Sequence, residues 1–328
     1  MGYYLGADVG GSKTDVVIVD HQGHVLGAGK GGPGNPQGVG FEGLFFTLNT
    51  ALQQALSQAG ITAGHIEGAG FGIGGYDWPT ALPKMLAVTD RLGFGGQSHI
   101  VNDAILGLVA GARNGWGISI VSGTGCNCRG WDETHQREGR VTGFGSMMGE
   151  GAGASELVQH AMIAVSYAWS KRGQPTTLCD AFVSHAGARD LEDLIEGYTE
   201  ERYHVGASAA PLIFAAADAG DAVAQGLCRW AGQELGEMAN AVGRQLGFGN
   251  KDVDVVLVGS MFRNGGIMLQ SLRQTIAPVL PGAKLVQLRV QPVAGAALIG
   301  MEQAGLLVTA EIRAKMAKSL PGHAYDQD

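Results

Sequence analysis

Two stretches of the chain repeat one order of features, and this repeat constrains the fold more than any other part of the sequence. Residues 4–30 (YLGADVGGSKTDVVIVDHQGHVLGAGK) and 116–141 (WGISIVSGTGCNCRGWDETHQREGRV) each contain an apolar run, a glycine- and hydroxyl-rich turn, a second strand, a polar turn and a third strand. Glycine permits positive φ and close approach to a ligand, and consecutive N–H groups in a turn bind anions. The repeat therefore predicts two related lobes whose turns hold a polyphosphate.

Strand-like and helical segments alternate along the chain, which favours an α/β fold with two lobes and a ligand cleft between them. A single large doubly wound sheet is the alternative. The length of 328 residues exceeds what one hydrophobic core usually supports. We predict an N-terminal lobe over residues 1–112, completed by a closing helix at about 293–310, and a C-terminal lobe over 113–292. Residues 311–328 are predicted to be a polar tail that frays.

Composition excludes several classes of function. The net charge is −8, and the Lys and Arg residues are scattered singly, so we expect no nucleic-acid partner. No apolar run reaches the roughly 18 residues that a membrane span needs, and the chain enters its first strand without a basic, cleavable leader. We expect a cytoplasmic protein with no membrane partner.

The four cysteines do not make a disulfide framework in a chain of this length, and we expect reduced thiols. Cys126 and Cys128 resemble half of a metal site. No second pair at ligand spacing accompanies them, and both fall in the second glycine turn, so a metal or cluster site is the weaker interpretation.

Five segments of the sequence resemble, in chain order, the five motifs of the sugar kinase, heat-shock and actin ATPase superfamily. Within it, the chain resembles the branch of N-acetylglucosamine kinases and of BadF/BadG/BcrA/BcrD-type ATPases. The resemblance runs from about residue 3 to 305 and implies two actin-like ATPase (ribonuclease-H-like) lobes. The segments are residues 8–15 (DVGGSKTD), 102–104 (NDA), 122–129 (SGTGCNCR), 258–264 (VGSMFRN) and 292–297 (PVAGAA).

The resemblance implies that ATP and Mg²⁺ are bound by the two glycine turns and by a third segment. Asp8, at the end of the first strand, supplies a carboxylate for Mg²⁺ directly or through water. A plain hairpin is the alternative for each turn, and a solvated turn lysine for Lys13. Cys126 replaces the Ser usual in the family, so its hydroxyl contact to phosphate is lost. The ATP contacts are expected at Gly10, Gly11, Ser12, Lys13, Thr14, Gly123, Thr124, Gly125, Cys126, Gly259, Ser260 and Met261.

Asp103 matches the position of the family's catalytic base. A carboxylate there can orient an attacking hydroxyl and accept its proton as bonding to phosphorus develops. An aspartate that precedes a helix is also a favoured N-cap, which is the structural alternative.

The substrate-binding positions implied by the resemblance are Asn35, Gly74, Asp103, Asn127 and Glu150. The Pro-Gly-Asn-Pro loop around Asn35 is also ordinary turn chemistry, and Asn127 has turn capping as its alternative. Sugar kinases of this branch commonly carry Gly-Asp-Glu-Gly where residues 149–152 read Gly-Glu-Gly-Ala. Glu150 keeps one carboxylate, one methylene further out, and the second acid is lost.

The expected function is an ATP-dependent sugar kinase that phosphorylates the 6-hydroxyl of N-acetylglucosamine or a related amino sugar or hexose, as a homodimer. A glucosamine kinase or a broad hexokinase is the alternative within this class. An ATPase activator of an acyl-CoA dehydratase or reductase is the alternative from a different class. It would need cluster-binding cysteines outside the phosphate turns, and neither Cys179 nor Cys228 has a partner nearby in sequence.

Overall fold

The computed structural model describes residues 2–141, 148, 150–263 and 266–320. These residues form two compact units, one comprising Met1–Ser119 and Val286–Asp328 and the other Ile120–Leu285. The strands are β1 (Tyr3–Val9), β2 (Thr14–Asp20), β3 (Val25–Gly31), β4 (Ile66–Ile73), β5 (Gln97–Val101), β6 (Gly117–Ser122), β7 (Cys126–Trp131), β8 (Glu138–Val141), β9 (Val253–Val258) and β10 (Ala283–Gln287). The helices are α1 (Pro36–Ala59), α2 (Leu82–Asp90), α3 (Asp103–Gly111), α4 (Ala154–Trp169), α5 (Leu178–Ala186), α6 (Leu191–Thr199), α7 (Ala210–Asp218), α8 (Ala222–Leu246), α9 (Gly266–Ile276), α10 (Val293–Gln303) and α11 (Ala310–Ser319).

The first unit is built on a five-stranded sheet in the order β3-β2-β1-β4-β5. β1 runs antiparallel to β2 and parallel to β4, and β4 runs parallel to β5. Successive side chains of a strand point to opposite faces. On one face of β1, Leu5, Ala7 and Val9 join a core that includes Leu44 and Leu48 of α1.

The opposite face of this sheet is lined with glycine, which lets α10 approach closely. A Cβ added to Gly6 would lie 2.3 Å from the backbone nitrogen of Ala297, and one added to Gly70 would lie 2.1 Å from the carbonyl oxygen of Ala296. No side chain fits at these positions, so helix and sheet pack backbone to backbone. This contact explains why glycine occupies these positions, among the 55 glycines of the chain.

The C-terminal segment departs from the predicted fraying tail. α11 begins at a Thr309 cap, buries Met316 completely and is followed by the buried Leu320. The Ser319 hydroxyl accepts a hydrogen bond from Val25 N at 3.1 Å and donates to Gly23 O at 3.2 Å. The prediction was wrong up to Leu320, because two apolar residues among many charged ones suffice to hold the helix against the turn between β2 and β3. Residues 321–328 lie outside the described part of the chain.

The second unit contains most of another five-stranded sheet, in the order β10-β9-β6-β7-β8. β7 and β8 form an antiparallel pair in which Cys128 lies opposite Val141. α8 packs on α9 through Gly232, where an added Cβ would lie 2.2 Å from Met268 O. Two sheets with helices packed against them confirm the α/β class, while the predicted lobe boundary at residue 113 stays a prediction.

Among the described residues, no single helix is long and apolar enough to cross a membrane. One bent pair of helices, Ala207–Asp218 with Ala222–Leu246, has the length and composition of a span when the two are taken together.

Candidate active site

The parallel strands of the first unit end at one edge of the sheet, and three predicted site residues meet there. Asp8 in β1 is in register with Gly72 in β4, which is in register with Val101 in β5. Gly74 follows directly after β4, and its backbone N–H donates a hydrogen bond to Val9 O in β1 at 2.7 Å. A Cβ added to Gly74 would lie 3.1 Å from Asp103 Oδ2. Gly74 therefore lies directly against the Asp103 carboxylate.

The pKa of Asp8 reflects this crowding of acids. Burial, followed by the negative charges of Asp103 and Asp15, raises the pKa of Asp8 to about 7, and Lys13 opposes the shift. At neutral pH Asp8 is therefore present in both its protonated and its ionised form. A cation placed here would favour the ionised form and relieve the repulsion.

The first glycine turn closes the hairpin between β1 and β2. Gly10 N donates to Lys13 O at 2.9 Å, and Gly11, Ser12 and Lys13 are exposed. Lys13 Nζ lies 2.6 Å from Asp15 Oδ2 with 69% of the lysine side chain exposed. Lys13 is thus positioned by Asp15 at the rim of the turn.

Thr14 differs from the rest of this turn because its side chain is completely buried. Its hydroxyl donates to Gly32 O at 3.1 Å, so the hydroxyl anchors the loop before α1. The carbonyl of Gly10 anchors the same loop by accepting from Gly34 N at 3.0 Å and Asn35 N at 3.2 Å. A phosphate contact by Thr14 stays a prediction.

The helix that begins with Asp103 is capped by its neighbour. Asn102 Oδ1 accepts a hydrogen bond from Ala104 N at 3.0 Å, which is the N-cap interaction of α3. Asp103 is the first helical residue and sits in the first turn, where the helix dipole stabilises negative charge. The capping alternative for Asp103 is therefore wrong, because Asn102 performs that role.

Asn35 has the structural role that its turn sequence suggested. Its Oδ1 accepts from Gln37 N at 2.9 Å and caps α1, and Pro36 follows at the first helical position. Gly75, at φ 81°, packs so closely that an added Cβ would lie 2.3 Å from Asn35 Oδ1. The cap uses the amide oxygen, and a ligand contact by the amide nitrogen stays a prediction.

The second glycine turn, in the other unit, is held by the start of α4. Gly123 N donates to Gly125 O at 2.9 Å, while Gly123 O accepts from Ala154 N at 2.8 Å and Thr124 O from Ser155 N at 2.9 Å. The first amides of α4 thus bind the carbonyls of the turn. This fixes the shape of the turn and directs two of its carbonyls into the protein.

Cys126 is a structural thiol at the end of this turn. Its Sγ accepts from Ala152 N at 3.4 Å. Burial, with added effects of the Glu156 and Glu150 carboxylates, raises the pKa of Cys126 to about 11. The group is therefore protonated at neutral pH, whereas nucleophilic cysteines react as thiolates. The electrostatic effect of Glu150 also places this predicted substrate ligand near the second turn, where Asn127 follows in β7.

The third predicted ATP segment lies beside the second turn. Gly259 has φ 114°, and an added Cβ would lie 2.1 Å from Ser122 O, so only glycine fits. Ser260 and Met261 begin a short 3₁₀ turn in which the Met261 side chain is buried. Contacts by Met261 to a nucleotide are therefore expected from its backbone. Asn264 and Gly149, which belong to the quoted motifs, lie outside the described residues.

Within the described part of the chain, no group of three or more His, Cys, Asp or Glu side chains is arranged to hold a metal ion. Asp8 fits Mg²⁺ as one shared ligand, with phosphate oxygens and water completing the shell, as is usual for this ion. The cysteines are dispersed, with Cys128 buried in β7, Cys179 in α5 and Cys228 buried in α8.

Sequence reasoning missed Gln37 and Asp77, and it assigned no role of its own to Asn102. All three contact the loops of the first unit that carry Asn35 and Asp103. An acidic residue two positions after Gly75, in the loop that follows a buried strand, was the available signal for Asp77.

The sheet order, the glycine turns and the strand-end carboxylates define an ATPase of the actin-like class. Residues 5–300 match the model of the BadF/BadG/BcrA/BcrD ATPase family, and the chain belongs to this family. It is 26% identical over 308 residues to the N-acetylmuramic acid/N-acetylglucosamine kinase of Clostridium acetobutylicum, covering 92% of this chain and 99% of that protein. It is also 26% identical over 316 residues to the N-acetyl-D-glucosamine kinase of Dictyostelium discoideum, covering 91% and 97%.

Solved structures share the fold. A proposed N-acetylglucosamine kinase from Chromobacterium violaceum superimposes with a TM-score of 0.66 at 23% identity, covering 91% of this chain and 99% of that one. A ROK family glucokinase from Streptomyces griseus, in complex with glucose and AMPPNP, gives a TM-score of 0.53 at 20% identity, covering 97% and 99%. These likenesses confirm the predicted actin-like ATPase architecture.

Proposed function

We propose that the protein is an ATP-dependent sugar kinase that transfers the γ-phosphoryl group of ATP to the 6-hydroxyl of N-acetylglucosamine or a related amino sugar. The observation that carries this proposal is the placement of Asp103. Its carboxylate lies against Gly74 at the sheet edge where the first glycine turn begins. Asp103 is not needed as the cap of α3, because Asn102 is the N-cap residue. Two relatives that match almost the whole chain are named as kinases of this sugar class.

In this proposal Asp103 acts on the attacking group. It accepts a hydrogen bond from the 6-hydroxyl, orients the oxygen toward the γ-phosphorus and takes the proton as the new bond forms. The bond from phosphorus to the bridging oxygen breaks, and ADP leaves with that electron pair. Gly74 has no side chain, which leaves room for the sugar beside the carboxylate.

We assign the glycine turns of both units to the phosphates of ATP and residues Gly259–Met261 to its adenosine. Backbone N–H groups aimed at phosphate stabilise negative charge without reorganisation during the reaction. Mg²⁺, when bound with ATP, neutralises charge on the β- and γ-phosphates. Asp8 is the residue of this chain that would hold it, and a cation there would offset the burial and the acidic neighbours that raise the pKa of Asp8.

Sugar recognition is assigned to Asn35, Asn127 and Glu150. Asn35 offers its amide nitrogen beside the first turn, and Glu150 a carboxylate near the second. Glu150-Gly151 stands where the branch usually has Asp-Glu, so the choice among amino sugars and hexoses is decided by the acceptor assay below.

A cytoplasmic location and a homodimer belong to the same proposal. ATP as phosphoryl donor and the unpaired cysteines support the location. The homodimer is supported by Ile163, Tyr167 and Tyr198, which are exposed around a groove of about 420 Å³ between α4 and α6. Cell fractionation tests the cytoplasmic location. Light scattering of the purified protein as it elutes from a size-exclusion column tests the homodimer.

A coupled ADP-release assay tests the main proposal with N-acetylglucosamine, glucosamine, N-acetylmannosamine, N-acetylmuramic acid and glucose as acceptors. We expect the highest kcat/KM with N-acetylglucosamine and a 6-phosphate product by NMR. A preference for glucosamine or glucose would shift the assignment within the class. ADP release that is independent of every sugar would refute it and favour the ATPase activator.

A further inference from the structure

Three segments that carry the candidate site meet at one carboxylate that no motif includes. Asp77 is half-buried in the loop after β4. Its Oδ2 accepts a hydrogen bond from Gln37 Nε2 at 3.1 Å, and its Oδ1 accepts one from Asn102 Nδ2 at 3.3 Å. The two oxygens therefore join the start of α1 to the N-cap of α3.

The α1 side of this connection leads to the sugar loop. Gln37 is anchored at its backbone by Asn35 Oδ1, and its side chain also reaches Gly75 O at 3.4 Å. Because Gly75 in turn packs on Asn35 Oδ1, the orientation of the Asn35 amide depends on the position of the loop that contains Asp77.

The α3 side leads to Asp103. Asn102 is 1% exposed, and the rotation of its amide is fixed by Asp77 together with Tyr76 O, which accepts from Asn102 Nδ2 at 3.2 Å. With the nitrogen held in this way, the oxygen faces Ala104 N and caps the helix. The entry into α3, and hence the direction of the Asp103 carboxylate, follows from this amide.

We propose that Asp77 is a positioning residue that sets the sugar loop and the base Asp103 in one geometry. The inference rests on the proposed kinase function. Gln37 and Asn102 each present an amide NH₂ group to a different oxygen of Asp77, so these two contacts require a side chain that accepts on both oxygens, and among side chains of this size an aspartate carboxylate does so. An asparagine would satisfy one partner and present an NH₂ group to the other.

The first variant to measure is Asp77→Asn. Displacement of a reacting group by about 1 Å costs on the order of 100-fold in rate. We expect kcat/KM for the sugar to fall about 10- to 100-fold, with the KM for ATP nearly unchanged. The control for changes on the α1 side is Gln53→Leu, which removes an exposed amide of α1 that donates to Asn49 one turn earlier.

Addition of Gln37→Glu to Asp77→Asn exchanges acceptor and donor across one contact. The new carboxylate at position 37 would accept from the new amide nitrogen at position 77, whose oxygen still accepts from Asn102. We therefore expect the double variant to recover most of the lost kcat/KM. Gln37→Glu alone sets two carboxylates against each other and should be impaired.

Variants that remove one contact of Asp77 at a time separate positioning from general stability. Gln37→Leu removes the hydrogen bond to Asp77 on the α1 side and should raise the sugar KM. Asn102→Ser keeps a capping hydroxyl but removes the hydrogen bond to Asp77 on the α3 side, and it should lower kcat. These two variants also decide the matter if Asp77→Asn fails to fold. A purely structural role would lower the melting temperature and leave the kcat and KM of folded protein unchanged.

Wild-type kinetics in folded Asp77→Asn, or an absence of recovery in the folded double variant, would overturn the inference. The failure of the underlying proposal has a different signature, because wild-type protein would then phosphorylate no sugar, and the inference would fall with it.

Discussion

Replacement of Asp8 by asparagine should stabilise the ligand-free protein while abolishing its activity. The pKa of Asp8 is raised from 3.8 to about 7, first by burial and then by Asp103 and Asp15. A raised carboxyl pKa means that the native state binds the proton more tightly than the unfolded state. The favourable contribution is complete below about pH 4 and is lost as the pH rises to about 7.

The magnitude follows from proton linkage. With this shift, the Asp8 carboxyl lowers the free energy of unfolding by about 1.7 kcal/mol at pH 5 and by about 4 kcal/mol at pH 8. The reference is a group whose pKa is the same in the native and the unfolded state. Solvent reaches part of the Asp8 side chain and screens the charge. We therefore expect Asp8→Asn to raise the free energy of unfolding by about 1 to 2.5 kcal/mol more at pH 8 than at pH 5.

Urea unfolding at both pH values, followed by circular dichroism without nucleotide or Mg²⁺, measures this difference. Asp90→Asn, at an exposed carboxylate of the same unit, is the control and should change stability by less than about 0.5 kcal/mol at either pH. Parallel pH profiles of wild type and Asp8→Asn would refute the reasoning, because the carboxylate would then have an ordinary pKa. A fully active Asp8→Asn would refute its assignment to Mg²⁺.

Three further variants test other parts of the site. Asp103→Asn should keep the fold and still bind ATP, as measured by calorimetry. Its kcat should fall on the order of 10²- to 10⁴-fold, because an amide cannot accept the hydroxyl proton. Near-normal turnover would remove Asp103 from the mechanism. Gly74→Ala should lower sugar kcat/KM by crowding Asp103 Oδ2, which would lie 3.1 Å from the new methyl group, and steady-state kinetics that match the wild type would contradict that contact. Glu150→Ala should raise the sugar KM roughly 10- to 150-fold with the ATP affinity intact, and unchanged KM and kcat for every sugar would make Glu150 a solvated loop residue.

Much of the fold was predictable because strands and helices leave a local signature. The apolar spacing that ends near Leu56 predicts α1, and the apolar runs before Asp8 and Asp103 predict strands that end at these two acids. The start of α1 was less visible, since Gly40 adopts φ 69° inside the helix and separates its first turn from the amphipathic part. Local pattern could locate the elements but not this kink.

Parts of the site depend on partners distant in sequence, which no local pattern reveals. Nothing near Asn102 shows that it, rather than Asp103, caps α3, because both residues are good caps and the choice is made by Tyr76 and Asp77 some 25 positions away. The docking of α11 likewise depends on Gly23 and Ser319, which are 296 positions apart. Such contacts are decided by tertiary packing.

The glycine-lined face that receives α10 has a consequence for the order in which the protein folds during synthesis. The second unit is one continuous segment, Ile120–Leu285, and all of it leaves the ribosome before α10 does. Until then the sheet of the first unit carries a bare face at Gly6 and Gly70, which no earlier helix covers at those positions. The half of the protein that is translated first is thus completed last, and a nascent chain that has left the ribosome only as far as residue 285 would present to chaperones an unfinished sheet together with a finished second unit.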